Sequence, residues 1–306
     1  MARRKMGEPV HGWVTVDKPA GTTSTRAVSV VRRVFNAQKA GHAGTLDPLA
    51  TGVLPIALGE ATKTVPYLVD ASKTYRFEIE WGRSTTTEDA EGETRETSDV
   101  RPAPDAIEAE LPAFIGEVEQ TPPAFSAIKV DGERAYDLAR SGAAVKLAPR
   151  LVRIDALRLL DGGAPARSTF EMRCGKGTYV RSVARDLAAR LGACGHVSLL
   201  RRTRVGPFAE EDAIALDSLS YIGDKRWLTV AISPLSTALD DIPALAVSGE
   251  DAGRLTRGQA IVLTPELAEQ TRGGVVSAVL ALCDGRPVAI CKQDGRSLAP
   301  SRVFNL

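Results

Sequence analysis

Gly41-His42-Ala43-Gly44-Thr45-Leu46-Asp47-Pro48-Leu49-Ala50-Thr51-Gly52-Val53-Leu54-Pro55 packs three glycines, two prolines, a histidine and an aspartate into fifteen residues. Glycine admits backbone conformations and close approaches that a Cβ forbids, and Pro48 restricts the residue before it. Asp47 therefore sits where the chain is held in one shape yet need not be buried. A loop carboxylate held in this way can serve as a nucleophile. It can equally cap a turn or helix through its own side chain, the commonest task of an aspartate beside Gly and Pro. His42 is open to a base, a hydrogen-bond donor, a stacking ring or a loop histidine satisfied by backbone. The other two histidines, His11 and His196, stand in no Ser or Cys triad order, which argues against a His-activated hydrolase.

Ser24 is a good N-cap for a helix over 25–36, where Val28, Val31 and Phe35 make one apolar stripe. Residues 74–81 alternate, with Tyr75, Phe77, Ile79 and Trp81 on one face and Arg76, Glu78 and Glu80 on the other, which predicts a half-buried strand ended by Gly82. On this pattern Tyr75 reads first as a core tyrosine. The polar stretch 83–104 reads as an exposed loop or excursion. Residues 151–160 and 168–174 read as strands, and 180–191 as a helix with Val183, Ala184, Leu187 and Leu191 inward and Gly192 as its stop. Gly175-Lys176-Gly177-Thr178-Tyr179-Val180-Arg181 thus joins a strand to a helix and sets Tyr179 and Arg181 at the helix entrance, where anions are favoured. Arg181 there could orient a carboxylate such as Asp47, or pair with a surface neighbour such as Asp186. Past Asp240 the chain changes character: Pro243, a short capped helix after Ser248 and an Asp284-Gly285 hairpin turn indicate a small β-rich module.

At 306 residues and 43% hydrophobic, the chain has the length of about two domains and the material for ordinary cores. Its formal net charge of +1 hides opposed blocks, with +5 over residues 1–83, −9 over 84–119, +9 over 120–209 and −4 over 210–306. Such a pattern suggests a positive stretch for a polyanion on an otherwise neutral to acidic surface. Arg201-Arg202-Thr203-Arg204 is the densest basic cluster after the basic start, by itself a weak nucleic-acid signal. The four cysteines, Cys174, Cys194, Cys283 and Cys291, lie far apart without metal-ligand spacing, which predicts neither a zinc site nor a disulfide framework and makes a reducing cytoplasm the default. The longest apolar run, near 275–283, is too short to span a bilayer, and Gly-x-Gly-x-x-Gly is missing.

Four stretches together resemble the bacterial tRNA pseudouridine-55 synthase family, also called TruB: residues 11–24 (His11-Gly12-Trp13 through Lys18-Pro19-Ala20-Gly21 to Ser24), the stretch 41–55, Pro122-Pro123-Ala124-Phe125-Ser126-Ala127-Ile128-Lys129, and Cys174 to Arg181. The resemblance covers most of residues 11–207. It implies an α+β fold, a mixed, mostly antiparallel central sheet flanked by helices, with a catalytic domain over 1–239 and a small β-rich, PUA-like RNA-binding module over 240–306. Residues 125–150 are similar to the family's basic insertion that closes over RNA. The resemblance puts the nucleophile at Asp47 and its arginine partner at Arg181. It makes Tyr75 the residue that stacks on the flipped base and takes part in proton removal. His42 matches the histidine that packs into the RNA loop, Tyr179 belongs to the motif around Arg181, and Leu200 matches an apolar residue lining the base pocket. Lys18 and Pro19 match a motif read as packing support for the catalytic loop, and Gly44 and Thr45 belong to the Gly-Thr-Leu-Asp-Pro motif itself. The implied activity is isomerisation of the uridine at position 55, in the T-loop of tRNA, to pseudouridine. It implies no cofactor and no metal, the T-arm of tRNA as partner, no membrane, a monomer in the cytoplasm, and a secondary role in tRNA folding. Two rivals stand beside it. A non-catalytic RNA-binding or RNA-folding protein would use the same surface, and an aspartate-nucleophile phosphotransferase or hydrolase would want a Walker loop or a paired second carboxylate.

Overall fold

The computed structural model describes residues 7–130, 132–143, 145–164, 166–221, 230–271 and 276–306. The basic start, residues 222–229 of the acidic block 210–306 and the first residue of the apolar run near 275–283 lie outside the described residues. The strands of the first two-thirds are β1 Gly12–Lys18, β2 Ala40–His42, β3 Thr51–Leu58, β4 Lys73–Trp81, β5 Arg83–Thr85, β6 Thr94–Thr97, β7 Gly116–Gln120, β8 Lys129–Val130, β9 Glu133–Arg134, β10 Arg150–Ala164, β11 Arg167–Cys174, β12 Gly195–Val205, β13 Phe208–Ala209 and β14 Ile214–Ala215. Ten of them form one sheet in the order β14-β1-β3-β12-β4-β11-β10-β7, with β2 on β3 and β13 on β12. Only the β1–β14 and β3–β12 pairs are parallel, so the sheet is mixed and mostly antiparallel as expected.

The alternation along β4 does what it predicts: Phe77, Ile79 and Trp81 are buried, Phe77 stacks on Phe170 at 5.2 Å, and the Trp81 indole donates to Ser168 Oγ at 2.9 Å. The helices Ser24–Val34 and Val180–Arg190 close the core over this face through Ala27, Val31, Val183, Ala184 and Leu187. Gly192, at φ 64°, follows the second helix and fits the stop expected of it.

Three local expectations change. The stretch 41–55 is a loop only over 43–50, because its second half enters β3, whose residues from Gly52 to Leu58 are all buried. A continuous apolar run containing Pro55 carries no alternation to betray a strand covered on both faces. Ser24 is not the N-cap: Thr23 accepts from Arg26 N, while Ser24 Oγ, inside the first turn, both donates to Leu46 O (3.1 Å) and accepts from Leu46 N (2.9 Å). The excursion 83–104 is only partly exposed. It folds into the β5–β6 hairpin and carries Asp89, 4% exposed, back against β12 through a bridge to Val197.

The last third builds a five-stranded sheet from β15 Ala244–Ala246, β16 Ile261–Val262, β17 Val276–Cys283, β18 Arg286–Asp294 and β19 Ser297–Val303, in the order β15-β17-β18-β19-β16. Asp284 and Gly285 turn between β17 and β18 with φ of 49° and 74°, the geometry of a tight hairpin, and Ser248 caps the helix Gly249–Thr256. Leu280 and Ile290 of this sheet, with Phe304 just past β19, share one apolar cluster with Trp13, Val53 and Phe208 of the first, bridged by Leu235, Ala238 and Leu239. Among the described residues no helix is long and apolar enough to cross a membrane.

Candidate active site

The loop 43–50 leaves the β2–β3 hairpin at the edge where β3, β12 and β4 lie side by side, and it is fixed from below. The Lys18 ammonium, fully buried at the end of β1, donates to the carbonyls of Pro19 (2.9 Å), Thr22 (2.7 Å) and Pro48 (3.2 Å). Burial lowers its pKa to about 8, with the nearby Asp47 carboxylate opposing the fall. Ser24 brackets Leu46, one residue before the aspartate. Gly44 takes a φ of 81°, a conformation a side chain would strain.

Asp47, its side chain 39% exposed, meets Arg181 Nη2 at 2.8 Å, while the Arg181 side chain is only 5% exposed. The arginine comes from the first turn of the helix Val180–Arg190. That turn is anchored by Tyr179, whose backbone N–H donates to Gln120 Oε1 (2.8 Å) and whose carbonyl accepts from Gln120 Nε2 (3.1 Å). The rest of the guanidinium is occupied as well: Nη1 donates to Thr87 O (2.9 Å) and lies 3.6 Å from Asp89, and Nη2 also reaches Phe125 O (2.9 Å). Asp186, the surface partner considered for Arg181, pairs with Arg185 instead.

Asp47, Tyr75, Tyr179, Arg181, Leu200 and Thr45 line one pocket together with Leu46, Thr178 and Val180. The ring of Tyr75 packs against the core, as its strand position predicts, and still faces this pocket. Burial raises the pKa of the Tyr75 hydroxyl, with Arg202 drawing it back, and burial raises that of Tyr179. Both phenols are therefore protonated at neutral pH. Lys18, Pro19, Gly44 and His42 do not line the pocket. Lys18 and Pro19 lie under or beside the loop, Gly44 is part of it, and His42 sits on β2 opposite Ile56. Burial and the Arg202 charge lower the pKa of His42, which keeps its ring neutral at pH 7.

Sequence reasoning missed Asp89, Gln120, Ser24 in its actual role, and above all Arg202. The Arg201-Arg202-Thr203-Arg204 run is not an exposed basic patch. Arg201 forks onto both oxygens of Asp17 (3.0 and 2.9 Å) and onto Glu210 (2.8 Å), whereas Arg202 is 1% exposed and donates to loop carbonyls. The signal was available in the strand period, which sends adjacent residues of β12 to opposite faces.

An arginine-held aspartate at the mouth of a pocket with two neutral phenols and a leucine can present a carboxylate to a planar ring stacked on Tyr75. The architecture is that of the pseudouridine synthases: in a solved Cbf5-Nop10-Gar1 complex one chain superposes with a TM-score of 0.72 at 26% identity, over 96% of this chain and 85% of that one. Residues 32–180 match the N-terminal domain model of the TruB family pseudouridylate synthases, and residues 181–240 match the tRNA pseudouridylate synthase B C-terminal domain. The tRNA pseudouridine synthase B of Caulobacter vibrioides is 60% identical and that of Caulobacter sp. strain K31 is 59% identical, each over 309 residues and the whole of both chains. The chain belongs to the TruB family of pseudouridylate synthases.

Proposed function

We propose that this protein isomerises a uridine of tRNA, the one at position 55 in the T-loop, to pseudouridine, using Asp47 and no cofactor. The observation that carries the reading is the Asp47–Arg181 pair at 2.8 Å in the pocket lined by Tyr75, Tyr179 and Leu200. The names of the relatives, which are tRNA pseudouridine synthases, support the substrate class.

The reaction breaks the bond from N1 of uracil to C1′ of the ribose and joins C5 to C1′, and the proton on C5 is then lost. Nothing is oxidised or hydrolysed. A stacked base must first leave the RNA, at a cost of a few kcal/mol, and stacking on an aromatic ring at about 1–3 kcal/mol per base offsets much of it. Tyr75 is the platform, its hydroxyl neutral, and Leu200 closes the apolar side. Asp47 then acts either by attack on the sugar or base or by taking a ribose proton to give a glycal, and both routes begin at this carboxylate. Arg181 aims it, and the buried contacts of Arg181 to Thr87, Asp89 and Phe125 keep the guanidinium from following a moving substrate. His42, neutral and next to the loop, is the residue we assign to the space that the flipped base leaves in the RNA.

We assign residues 1–239 to catalysis, with 125–150 gripping the RNA, and 240–306 to a PUA-like contact with tRNA. The protein acts as a cytoplasmic monomer on the T-arm, and the same grip serves a second role in tRNA folding. The test is to incubate the protein with an unmodified tRNA transcript and map pseudouridine by carbodiimide primer extension. A single stop at position 55 supports the reading; a stop elsewhere, or none, overturns it.

A further inference from the structure

Arg202 occupies the junction at which the two halves of the pocket meet. On β12 it faces Gly52 of β3 on one side and Tyr75 of β4 on the other. The approach to β3 is so close that a Cβ on Gly52 would stand 2.2 Å from Arg202 O. The side chain then turns under the catalytic loop and places its donors on β3 and on the loop: Nε on Val53 O (2.8 Å), Nη2 on Gly44 O (3.1 Å) and Nη1 on Thr45 O (3.5 Å). Its charge also draws back the pKa of the Tyr75 hydroxyl, which burial raises, so it stands within electrostatic reach of that group. One buried guanidinium thus holds the backbone two and three residues before Asp47, from a strand position paired with Tyr75.

We propose that Arg202 is a positioning residue for the isomerisation, fixing the separation and angle between the Asp47 carboxylate and the Tyr75 ring. It touches no reacting atom. A planar five-donor group suits this task because its hydrogen bonds diverge in one fixed plane; an ammonium would reach one or two of these acceptors, and its direction would not be set. The charge of Arg202 supports the assignment, since it also lowers the pKa values of Lys18, His42 and Lys73 around the same loop. The proposal rests on the reading that Asp47 and Tyr75 act on a tRNA uridine.

The experiment uses the full chain with Arg202→Lys and Arg202→Met, and reads single-turnover tritium release from C5-labelled tRNA, the Kd for the same tRNA and the melting temperature. Wild-type release comes first, because its failure would refute the underlying reading and not the role of Arg202. With release established, both variants should lose roughly 100-fold in rate, the scale on which a misplacement of about 1 Å acts, while tRNA affinity stays within about twofold. Added guanidinium ion should raise the rate of Arg202→Met but not that of Asp47→Ala, whereas an equal concentration of sodium chloride should raise neither. Rates within about threefold of wild type in either variant would overturn the proposal. So would a loss that follows the melting temperature and is fully recovered by cooling or an excluded osmolyte, with no response to guanidinium.

Discussion

At the scale of single residues, the site depends on two cations that are buried for different purposes. Arg181 is held by the two carbonyls and the second carboxylate around it, so the Nη2 that meets Asp47 has one direction. Lysine at that position keeps the charge and loses the fork, so Arg181→Lys should lower turnover roughly 100-fold while tRNA affinity is retained. Steady-state rates beside a filter-binding Kd check this, and equal turnover by the variant would remove the aiming role. Lys18 works from beneath. As an ammonium it has three donors for the three carbonyls of Pro19, Thr22 and Pro48, and as an amine it has two. Because its pKa is lowered to about 8, the folded protein loses that third donor as pH rises through about 8, whereas an unfolded lysine loses its proton only around 10.4. The single-turnover rate should therefore fall as pH rises through about 8. A rate that holds level well above that pH would contradict the support assigned to Lys18.

At the scale of elements, the catalytic loop is held by the strands and helix that frame it. Ser24, 3% exposed in the first turn of the helix Ser24–Val34, ties both backbone groups of Leu46. Ser24→Ala removes both bonds and leaves a buried N–H and C=O without partners, so it should cost about 1–3 kcal/mol in stability. Urea denaturation with an unchanged m-value checks this, and an unchanged midpoint would contradict it. This element also shows how far sequence reading carries. The apolar stripe of the helix, the alternation of β4 and the strand-turn-helix that presents Tyr179 and Arg181 were all legible, because each is a local period ended by a local signal. β3 and the role of Ser24 were not. A strand buried on both faces has no alternation, and a serine near a helix start satisfies the N-cap pattern whether or not its hydroxyl is claimed by a loop 22 residues away. Arg202 was hidden for the same reason, since its acceptors lie about 150 residues earlier in the chain.

At the scale of the whole molecule, the opposed charge blocks of the sequence partly annul each other within the fold. The acidic stretch 84–119 sends Glu88 to Arg185, Asp89 to Arg181 and Glu110 to Arg190, all on the helix Val180–Arg190 in the basic block. The excess of that block, on which the polyanion reading rests, is thus smaller than the sequence count. Exposed lysines and arginines still have to displace counterions from tRNA phosphates. The logarithm of the association constant should therefore fall linearly with the logarithm of salt concentration, and a flat profile would contradict an RNA footprint. Whether the fold brings the Asp47 carboxylate to C1′ or C5 of a flipped uridine is read by tritium release. The substrate is a tRNA transcript made with uridine tritiated at C5, since that hydrogen leaves only when C5 joins the ribose. Wild type should release about one tritium per tRNA, and Asp47→Ala should be slower on the order of 10⁶-fold while binding the same tRNA as tightly. Release by the variant at a rate near wild type would place the nucleophile elsewhere, and no release by either protein, with tight binding retained, would make this an RNA-folding protein without the reaction.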